Sequence, residues 1–246
     1  MDDKQFFQLE KFINRIIEKK LSTMNLHQKV FPQFKGIYSG KEVVVIAAAP
    51  SAKYYKPIEN AIHIGVNRAI DLPVNLDYLF IQDVSGAWNY LPRITEYKPD
   101  TCKKFYGLTT EWVENPNRVI PEDEAIKANA YRYRTDWEDI PGFECKFAYD
   151  LSSQSLGCFG AITFPALQFT LWTNPSKIYL VGCDTSNAGY FDNSNTKNFL
   201  LTDKIIEAHK KFKTFANTYY PKTEIISVNP VGLKGIYKDI YTIGVN

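Results

Sequence analysis

The 246-residue chain has few of the residues that usually mark a metal or redox site. Its four cysteines stand apart, with no Cys-x-x-Cys pair, and it has only three histidines. A zinc site needs clustered cysteine and histidine, and a disulfide framework needs paired cysteines. The sequence therefore predicts neither feature, and it favours reduced thiols in a cytoplasmic protein.

The chain also lacks a surplus of either charge. It carries 29 Lys and Arg against 27 Asp and Glu, for a net charge of +2. Since nucleic-acid-binding domains show a clear basic excess, we expect no nucleic-acid partner. There is no Walker loop and no Gly-x-Gly-x-x-Gly, so the common ATP and dinucleotide sites are weak hypotheses.

One long stretch lacks charge altogether, residues 151–176. It contains Gln154, Gln168 and Pro165, which a membrane span would disfavour, so a buried helix over 158–173 is the better interpretation. The N-terminus is charged and lacks the apolar core of a signal peptide.

What the chain has is a series of short apolar runs. Continuous Val and Ile bounded by small residues are typical of parallel strands buried on both faces. We predict strands at 42–48, 61–66, 76–81, 177–182 and 224–228, with another near 103–107. Together with helices at 158–173 and 205–219, they predict an α/β fold: a single doubly wound, mostly parallel Rossmann-like sheet with helices on both faces.

The predicted organisation has two parts. Residues 1–35 are an N-terminal amphipathic helix and connector, and 36–246 form the Rossmann-like domain, with an insertion at 85–150. The polar segment 185–203 is predicted to be a lid loop. The helical pattern at 4–21 packs on the body or on a sister subunit; the alternative is a peripheral helix on the inner face of a membrane.

Small or polar residues follow three of the predicted strands. The turn Ala47–Ser51 would let a ligand approach the backbone and bind an anion through its amides; the alternative is a tight turn without a ligand. Asn67 and the pair Gln82 and Asp83 follow the next two strands, where they could bond a ribose or a base edge. Their alternative role is to cap the strands.

Two further residues could act as a base. Asp184 follows Gly182 and Cys183 at the end of a central strand, and it could accept from ribose hydroxyls or remove a proton. Its alternative role is a loop cap that binds backbone amides. His209 follows the polar loop and could be a general base; the alternative is an ordinary surface histidine. No Asp-x-Asp follows a strand, which argues against metal-dependent sugar transfer.

Taken in order, these segments resemble the bacterial sialyltransferases that use CMP-sialic acid, and the related core of the Maf-type flagellin glycosyltransferases. The family's Gly-Asn-Gly-Pro-Ser turn is matched by Ala47–Ser51, with alanine at 48 in place of asparagine. Its Asn-bearing second strand is matched by 65–68, and its Ile-Tyr-Leu-x-Gly-x-Asp strand by 178–184. The resemblance spans roughly 42–84 and 153–235.

The resemblance also assigns roles. Ser155 and Gly157 match a Ser-Gly helix entry of the family, and Asn229 matches its terminal turn. Tyr190 matches a tyrosine of the lid, which would stabilise the departing phosphate. With them, the expected nucleotide-binding residues are Ala48, Ala49, Pro50, Ser51, Asn67, Gln82, Asp83, Ser155, Gly157, Gly182, Cys183, Asp184 and Asn229. The expected catalytic residues are His209, Asp184 and Tyr190.

The implied reaction is a metal-independent, inverting transfer of a sialic-acid-like sugar. The donor is a CMP-sugar or another nucleotide-activated sugar, the acceptor is a surface glycan, no cofactor is needed, and the enzyme self-associates. Two other functions stay open. One is a 6-hydroxymethylpterin pyrophosphokinase-like enzyme using ATP and Mg²⁺; the other is a non-catalytic nucleotide- or glycan-binding protein.

Overall fold

A computed structural model describes residues 3–82, 91–109, 120–136, 145–194 and 201–242. Its centre is one sheet in the order β6-β5-β4-β3-β2-β1-β7-β8-β9, and every pairing is parallel. The strands are β1 (Glu42–Ile46), β2 (Ile62–Val66), β3 (Tyr78–Ile81), β4 (Lys103–Thr109), β5 (Tyr131–Asp136), β6 (Leu156–Gly157), β7 (Lys177–Val181), β8 (Glu224–Val228) and β9 (Lys238–Ile240).

Five α-helices and three 3-10 helices accompany the sheet in the described ranges. They are α1 (Asp3–His27), α2 (Leu91–Glu96), α3 (Glu122–Lys127), α4 (Thr163–Trp172) and α5 (Thr202–Tyr219), and the 3-10 helices Pro32–Phe34, Pro50–Tyr54 and Asn67–Asp71. The helix predicted from 158 begins only at Thr163. Phe159 and Gly160 have φ of 49° and 86°, and this left-handed backbone cannot continue a right-handed helix.

Alternating strand residues build a core on each face of the sheet. In β1, Val43 and Val45 pack with α4 and α5, whereas Val44 and Ile46 pack with α2, α3 and two of the 3-10 helices. Successive side chains point to opposite faces, so a strand covered on both sides must be apolar throughout. The predicted fold class, a Rossmann-like α/β sheet with helices on both faces, is confirmed.

The connections reverse direction beside β1. From β1 the chain steps outward through β2 to β6, then returns under α4 to β7 on the other side of β1, and continues to β9. The carboxyl ends of β1 and β7 therefore form a topological switch point, where open α/β sheets bind ligands.

The described part of 85–150 contributes β4 and β5 to this same sheet, and α2 and α3 to the helices packed on one of its faces. Whether the chain divides at residue 35 stays a prediction. Within the described ranges, no helix combines the length and the apolar content that crossing a bilayer requires.

Candidate functional site at the switch point

The turn after β1 lies directly against the end of β7. The Ala47 amide donates to the Val181 carbonyl at 2.8 Å, and the Ala49 amide donates to the Gly182 carbonyl at 3.1 Å. Gly182 has a φ of 62°, and a Cβ there would stand 2.4 Å from the Ala47 carbonyl oxygen. Only glycine can adopt this left-handed conformation and also leave room for the Ala47 carbonyl oxygen, so the backbones of the two predicted segments are in direct contact.

Asp184 joins the two segments through Ser51. The Ser51 amide donates to Asp184 Oδ2 at 3.0 Å, and the Ser51 hydroxyl donates to Asp184 Oδ1. The carboxyl group belongs to a residue only 3% exposed; burial raises its pKa, and the two bonds from Ser51 act in the opposite direction. The anion bound at this turn is therefore a side chain of the protein, in the contact expected of a loop cap.

The chain after Asp184 folds back over the turn. The Gly232 amide donates to the Asp184 carbonyl at 2.7 Å, and a Cβ on Gly232 would lie 2.2 Å from the Thr185 carbonyl oxygen. Further along, the Phe191 amide donates to the Ala48 carbonyl at 2.9 Å. Residues 185–194, which begin the predicted lid, thus lie over the switch point; the lid's residues 195–200 fall outside the described ranges, and 202–203 begin α5.

Arg68, which the sequence did not single out as a site residue, anchors this covering segment. Its guanidinium pairs with the Asp192 carboxylate, donates to Ser194 Oγ at 2.5 Å, and stacks 4.8 Å from the centre of the Tyr190 ring. Hydrogen bonds from Ser194, with help from Arg68, lower the pKa of Asp192 to about 2. The only sequence signal was an arginine directly after the strand-end Asn67.

Asn67 itself is the most unusual polar group of the site. It has a φ of 45°, a left-handed conformation that asparagine adopts more readily than most residues. Its side-chain Oδ1 is buried and has no hydrogen-bond partner among the described residues. Since an unsatisfied buried acceptor costs about 1–3 kcal/mol, this oxygen is suited to receive a hydrogen bond from a ligand.

The other predicted nucleotide-binding residues lie in different surroundings. The Gln82 amide donates to Thr109 Oγ1 at 2.8 Å and accepts from Cys158 Sγ at 3.1 Å, so its polar atoms are used within the protein. Asp83 lies outside the described residues. The Asn229 side chain holds Thr242, donating to its hydroxyl and accepting from its amide, both at 2.8 Å.

Ser155 and Gly157 belong to the opposite edge of the sheet. Ser155 precedes β6, and its hydroxyl is 3.4 Å from Thr23 Oγ1 on α1. The Gly157 amide donates to the Gln168 side chain at 3.2 Å, and its carbonyl accepts from the same side chain at 2.7 Å. Four strands separate β6 from β1, so the structure does not bring this pair to the switch point.

His209 is in the core rather than on the surface. It is 1% exposed, its ring centre lies 4.6 Å from that of Phe164, and its Nδ1 is 3.0 Å from the Tyr237 hydroxyl, which also donates to the His209 carbonyl. Burial lowers the pKa of His209 to about 3, and it raises the pKa of nearby Cys183 to about 12.

Among the residues that the structure describes, His, Cys, Asp and Glu side chains form no group of three or more able to hold a metal ion. Metal independence stays a prediction, as do the individual site assignments. The residues that come together are the turn Ala47–Ser51, Asn67 with Arg68, Gly182–Asp184, and the covering segment with Tyr190.

No protein-family model matches the chain, and neither does any protein of curated function. Among solved structures, the chain is similar to the MAf glycosyltransferase from Magnetospirillum magneticum AMB-1, with 13% identity and a TM-score of 0.49. The matched region covers 89% of this chain and 38% of that protein, so the chain spans well under half of its length. Similarity at this level supports no statement about the reaction, which must be inferred from the site itself.

Proposed function

We propose that the chain is a metal-independent glycosyltransferase. It would bind a nucleotide-activated sugar, with a CMP-sugar favoured, at the switch point and transfer the sugar to a glycan acceptor. The observation that carries the proposal is the buried, unpartnered Asn67 Oδ1 at the carboxyl end of β2, where Arg68 is the next residue. An acceptor and a cation at one strand end match the hydroxyl or amino group and the phosphate of a nucleotide.

Asn67 would recognise the nucleoside. A ribose hydroxyl or the amino group of cytosine would supply the hydrogen that Oδ1 lacks. The binding site would thereby recover the free energy of about 1–3 kcal/mol that an unsatisfied buried acceptor costs. The same oxygen would discriminate against ligands that offer no donor there, because they would leave it unpaired.

Arg68 would recognise the phosphate. A guanidinium is well suited to phosphate because its planar donors match the phosphate oxygens in pairs. In the present conformation Asp192 and Ser194 occupy those donors, so the phosphate would take the place of the Asp192 carboxylate as the covering segment opens. When the segment closes again, the Tyr190 hydroxyl and backbone amides would stabilise the negative charge on the departing nucleotide.

The transfer also needs a base for the acceptor hydroxyl. That hydroxyl would attack the anomeric carbon, the bond from this carbon to the nucleotide phosphate would break, and the base would keep the proton. We favour Asp184, since it lies at the switch point and burial raises its pKa. His209 is the second candidate, because it would have to become accessible from beneath Phe164 and Tyr237.

One observation favours a second function. Both carboxylate oxygens of Asp184 accept hydrogen bonds from Ser51, which is the arrangement of a structural cap rather than of an available base. A protein that binds a nucleotide or a glycan without turnover would need no more than this. Binding is therefore common to both functions, and turnover distinguishes them.

The test is a transfer assay on the full chain with CMP-, UDP- and GDP-activated sugars and, in parallel, with ATP and a pterin acceptor, each with EDTA or with Mg²⁺. We expect release of CMP from a CMP-sugar in EDTA, and its loss in Asn67→Ala. The matched control is Asn60→Ala, which changes another asparagine with a left-handed φ, 61°, at an exposed position. Binding without turnover would favour the second function. Activity only with ATP and Mg²⁺ would favour the pyrophosphokinase, and no response to any nucleotide would contradict the proposal.

A further inference from the structure

A cavity of about 450 Å³ lies at the β6 edge of the sheet, between α1 and the segment 146–155. Asp136, the last residue of β5, forms part of its wall. Neighbouring strands lie about 4.8 Å apart, so the five steps from β6 to β1 place the cavity roughly 24 Å from the switch point. Its volume is within the usual range of small-molecule sites, and among the described residues that line it, none belongs to the switch point.

The walls of the cavity are held in place by hydrogen bonds. His27, near the end of α1, accepts from the Arg134 amide through Nε2 at 2.7 Å, so its Nδ1 carries the proton and donates to the Leu151 carbonyl at 2.9 Å. Within the segment 146–155, the Asp150 carboxylate accepts from the Ser153 hydroxyl at 2.6 Å. These contacts join α1, β5 and the segment to one another, and a site formed in advance loses little conformational freedom when a ligand binds.

The strongest acceptors in the lining are already bound. The Asp136 carboxylate pairs with Lys19 at 2.6 Å, and the two side chains are only 13% and 11% exposed. Gln154 Oε1 accepts from the amides of Tyr149 and Asp150 at 3.0 and 3.1 Å. The polar group of the Gln154 side chain that remains for a ligand is therefore its nitrogen, which can only donate.

The charge of the lining is positive. Among the described residues, three lysines and one carboxylate line the cavity: Lys19, Lys20, Lys146 and Asp136. The formal excess is two positive charges. Lys20 and Lys146 are exposed, so their flexible side chains can turn toward a ligand in the cavity. Lysine binds phosphate and carboxylate groups as a point charge, and the lining therefore favours an oxyanion.

The lining also combines apolar and hydroxyl groups. Ile16, Met24 and Phe147 supply apolar surface. The hydroxyls of Thr23 and Ser155 are 3.4 Å apart, and since only one of them donates to the other, the second keeps its proton for a ligand. A sugar ring has an apolar face of C–H groups and a rim of hydroxyls, and it matches both kinds of surface.

We propose that this cavity is a second ligand site, which binds an acidic sugar: a sugar-sized molecule that carries a phosphate or a carboxylate. Lys20 and Lys146 bind the oxyanion, and the Gln154 nitrogen donates to it or to a ring hydroxyl. The ring lies against the apolar wall. Binding here goes beyond the proposed transfer reaction and does not depend on it, because the cavity shares no residue with the switch point.

The test is calorimetric titration of the full chain with glucose 6-phosphate, glucuronic acid, inorganic phosphate and glucose. We expect saturable binding of one of the two acidic sugars, which identifies the oxyanion, and none of glucose. The double variant Lys20→Gln with Lys146→Gln should raise the dissociation constant about tenfold or more, because it removes both exposed cations of the lining. The matched control is Lys11→Gln with Lys222→Gln, which removes two exposed lysines away from the cavity and should bind like the wild type.

Ile16→Trp separates binding in the cavity from binding to surface lysines. The larger side chain should obstruct the cavity and abolish binding while it leaves both lysines in place, with urea denaturation confirming that the variant is folded. Unchanged binding in Ile16→Trp, an equal loss in the control pair, or no binding of either acidic sugar would overturn the proposal. Equal affinity for inorganic phosphate would also overturn it, since the site would then bind an adventitious ion only. Asn67→Ala, which changes the switch point, should bind the acidic sugar like the wild type, so this proposal and the transfer reaction can fail separately.

Discussion

The carboxyl edge of the sheet has two halves that look alike in the sequence and differ in the structure. Around β1, β2 and β7, the residues at the strand ends contact one another or are left with an unsatisfied atom, as Ser51, Asp184 and Asn67 show. Over β3 to β6, the polar side chains at the strand ends form hydrogen bonds with other residues of the protein. Gln82, for example, bonds Thr109 and Cys158.

The difference follows from the connections. Beside β1 the chain leaves in opposite directions from neighbouring strands, which is the place where open α/β sheets bind ligands. Over β3 to β6 the chain returns across the strand ends, so that Cys158, just after β6, reaches Gln82, just after β3. A polar residue at a strand end is therefore a candidate ligand contact only where its polar atoms are not already bonded within the protein.

The largest effect of any single substitution is expected from a methyl group added where the turn after β1 meets the end of β7. We expect Gly182→Ala to lower the free energy of unfolding by about 3 kcal/mol, since it adds both a left-handed alanine and a 2.4 Å contact with the Ala47 carbonyl oxygen. Gly235→Ala, with a φ of 77° and nothing within 4 Å, isolates the backbone strain and should cost about 1 kcal/mol. Urea denaturation measures both.

Gly157→Ala extends this comparison to the β3–β6 half. Its Cβ would stand 2.4 Å from the Lys146 carbonyl oxygen, so we expect a loss of stability as well. Below the unfolding transition, however, the folded protein should keep its affinity for a nucleotide, which Gly182→Ala should lose. A selective loss of binding in Gly157→Ala would place β6 in the site.

Removing the Asp184 carboxylate should have the next largest effect. Asp184→Ala leaves the Ser51 amide and hydroxyl without an acceptor, which is expected to cost about 1–3 kcal/mol in the free energy of unfolding. Asp184→Asn keeps one acceptor oxygen and should cost less. Equal stability of Asp184→Ala and the wild type in urea denaturation would show that this link does not hold the turn.

Acid should destabilise both halves to a similar extent. Burial lowers the pKa of His209 to about 3 and of His27, which packs beside β5, to about 4. Because both folded-state values lie below the usual 6.5, the stability is complete above pH 6.5 and is lost as the pH falls. At pH 5 each histidine should lower the free energy of unfolding by about 2 kcal/mol.

Denaturation curves between pH 7 and pH 5 measure this loss. His209→Gln removes one titrating group and should reduce the loss by about half, because two similar histidines contribute to it. A free energy of unfolding that does not change over this range would contradict the burial of both rings.

The smallest effect on stability is expected at the covering segment. Asp192→Asn removes a partly exposed ion pair with Arg68 and should change the free energy of unfolding by less than about 1 kcal/mol. It should nevertheless speed proteolytic cleavage within 185–194, since this contact holds the segment down. Asp123→Asn, which removes an exposed ion pair with Lys127 in α3, is the control and should leave cleavage there unchanged.

The sequence predicted the strands that are covered by the core on both faces. β1 and β7 are of this kind, and their continuous apolar runs indicate it. β5 was missed because Tyr131–Asp136 alternates tyrosine with arginine and lies one strand from the edge, and β6 was missed because it has only two residues. Short or polar edge strands take their conformation from the neighbour they pair with, and a local pattern does not carry that information.

The sequence predicted that the residues of the candidate site stand at strand ends, but it did not predict their contacts. The turn Ala47–Ser51 and Asp184 were both expected at strand ends, yet nothing local indicated that Ser51 would bind Asp184. The sequence does not mark Arg68 as a site residue, because an arginine after a strand is ordinarily solvated. Its role depends on residues 190–194, more than a hundred positions away, and only the tertiary fold brings them together.

The most direct test of the central claim is calorimetric titration of CMP into the full chain in EDTA, comparing Asn67→Ala with Gln82→Ala. We expect that the wild type binds one CMP, that Asn67→Ala raises the dissociation constant about tenfold or more, and that folded Gln82→Ala binds like the wild type. Loss of binding in Gln82→Ala with wild-type affinity in Asn67→Ala would contradict it, as would a wild type that does not bind CMP.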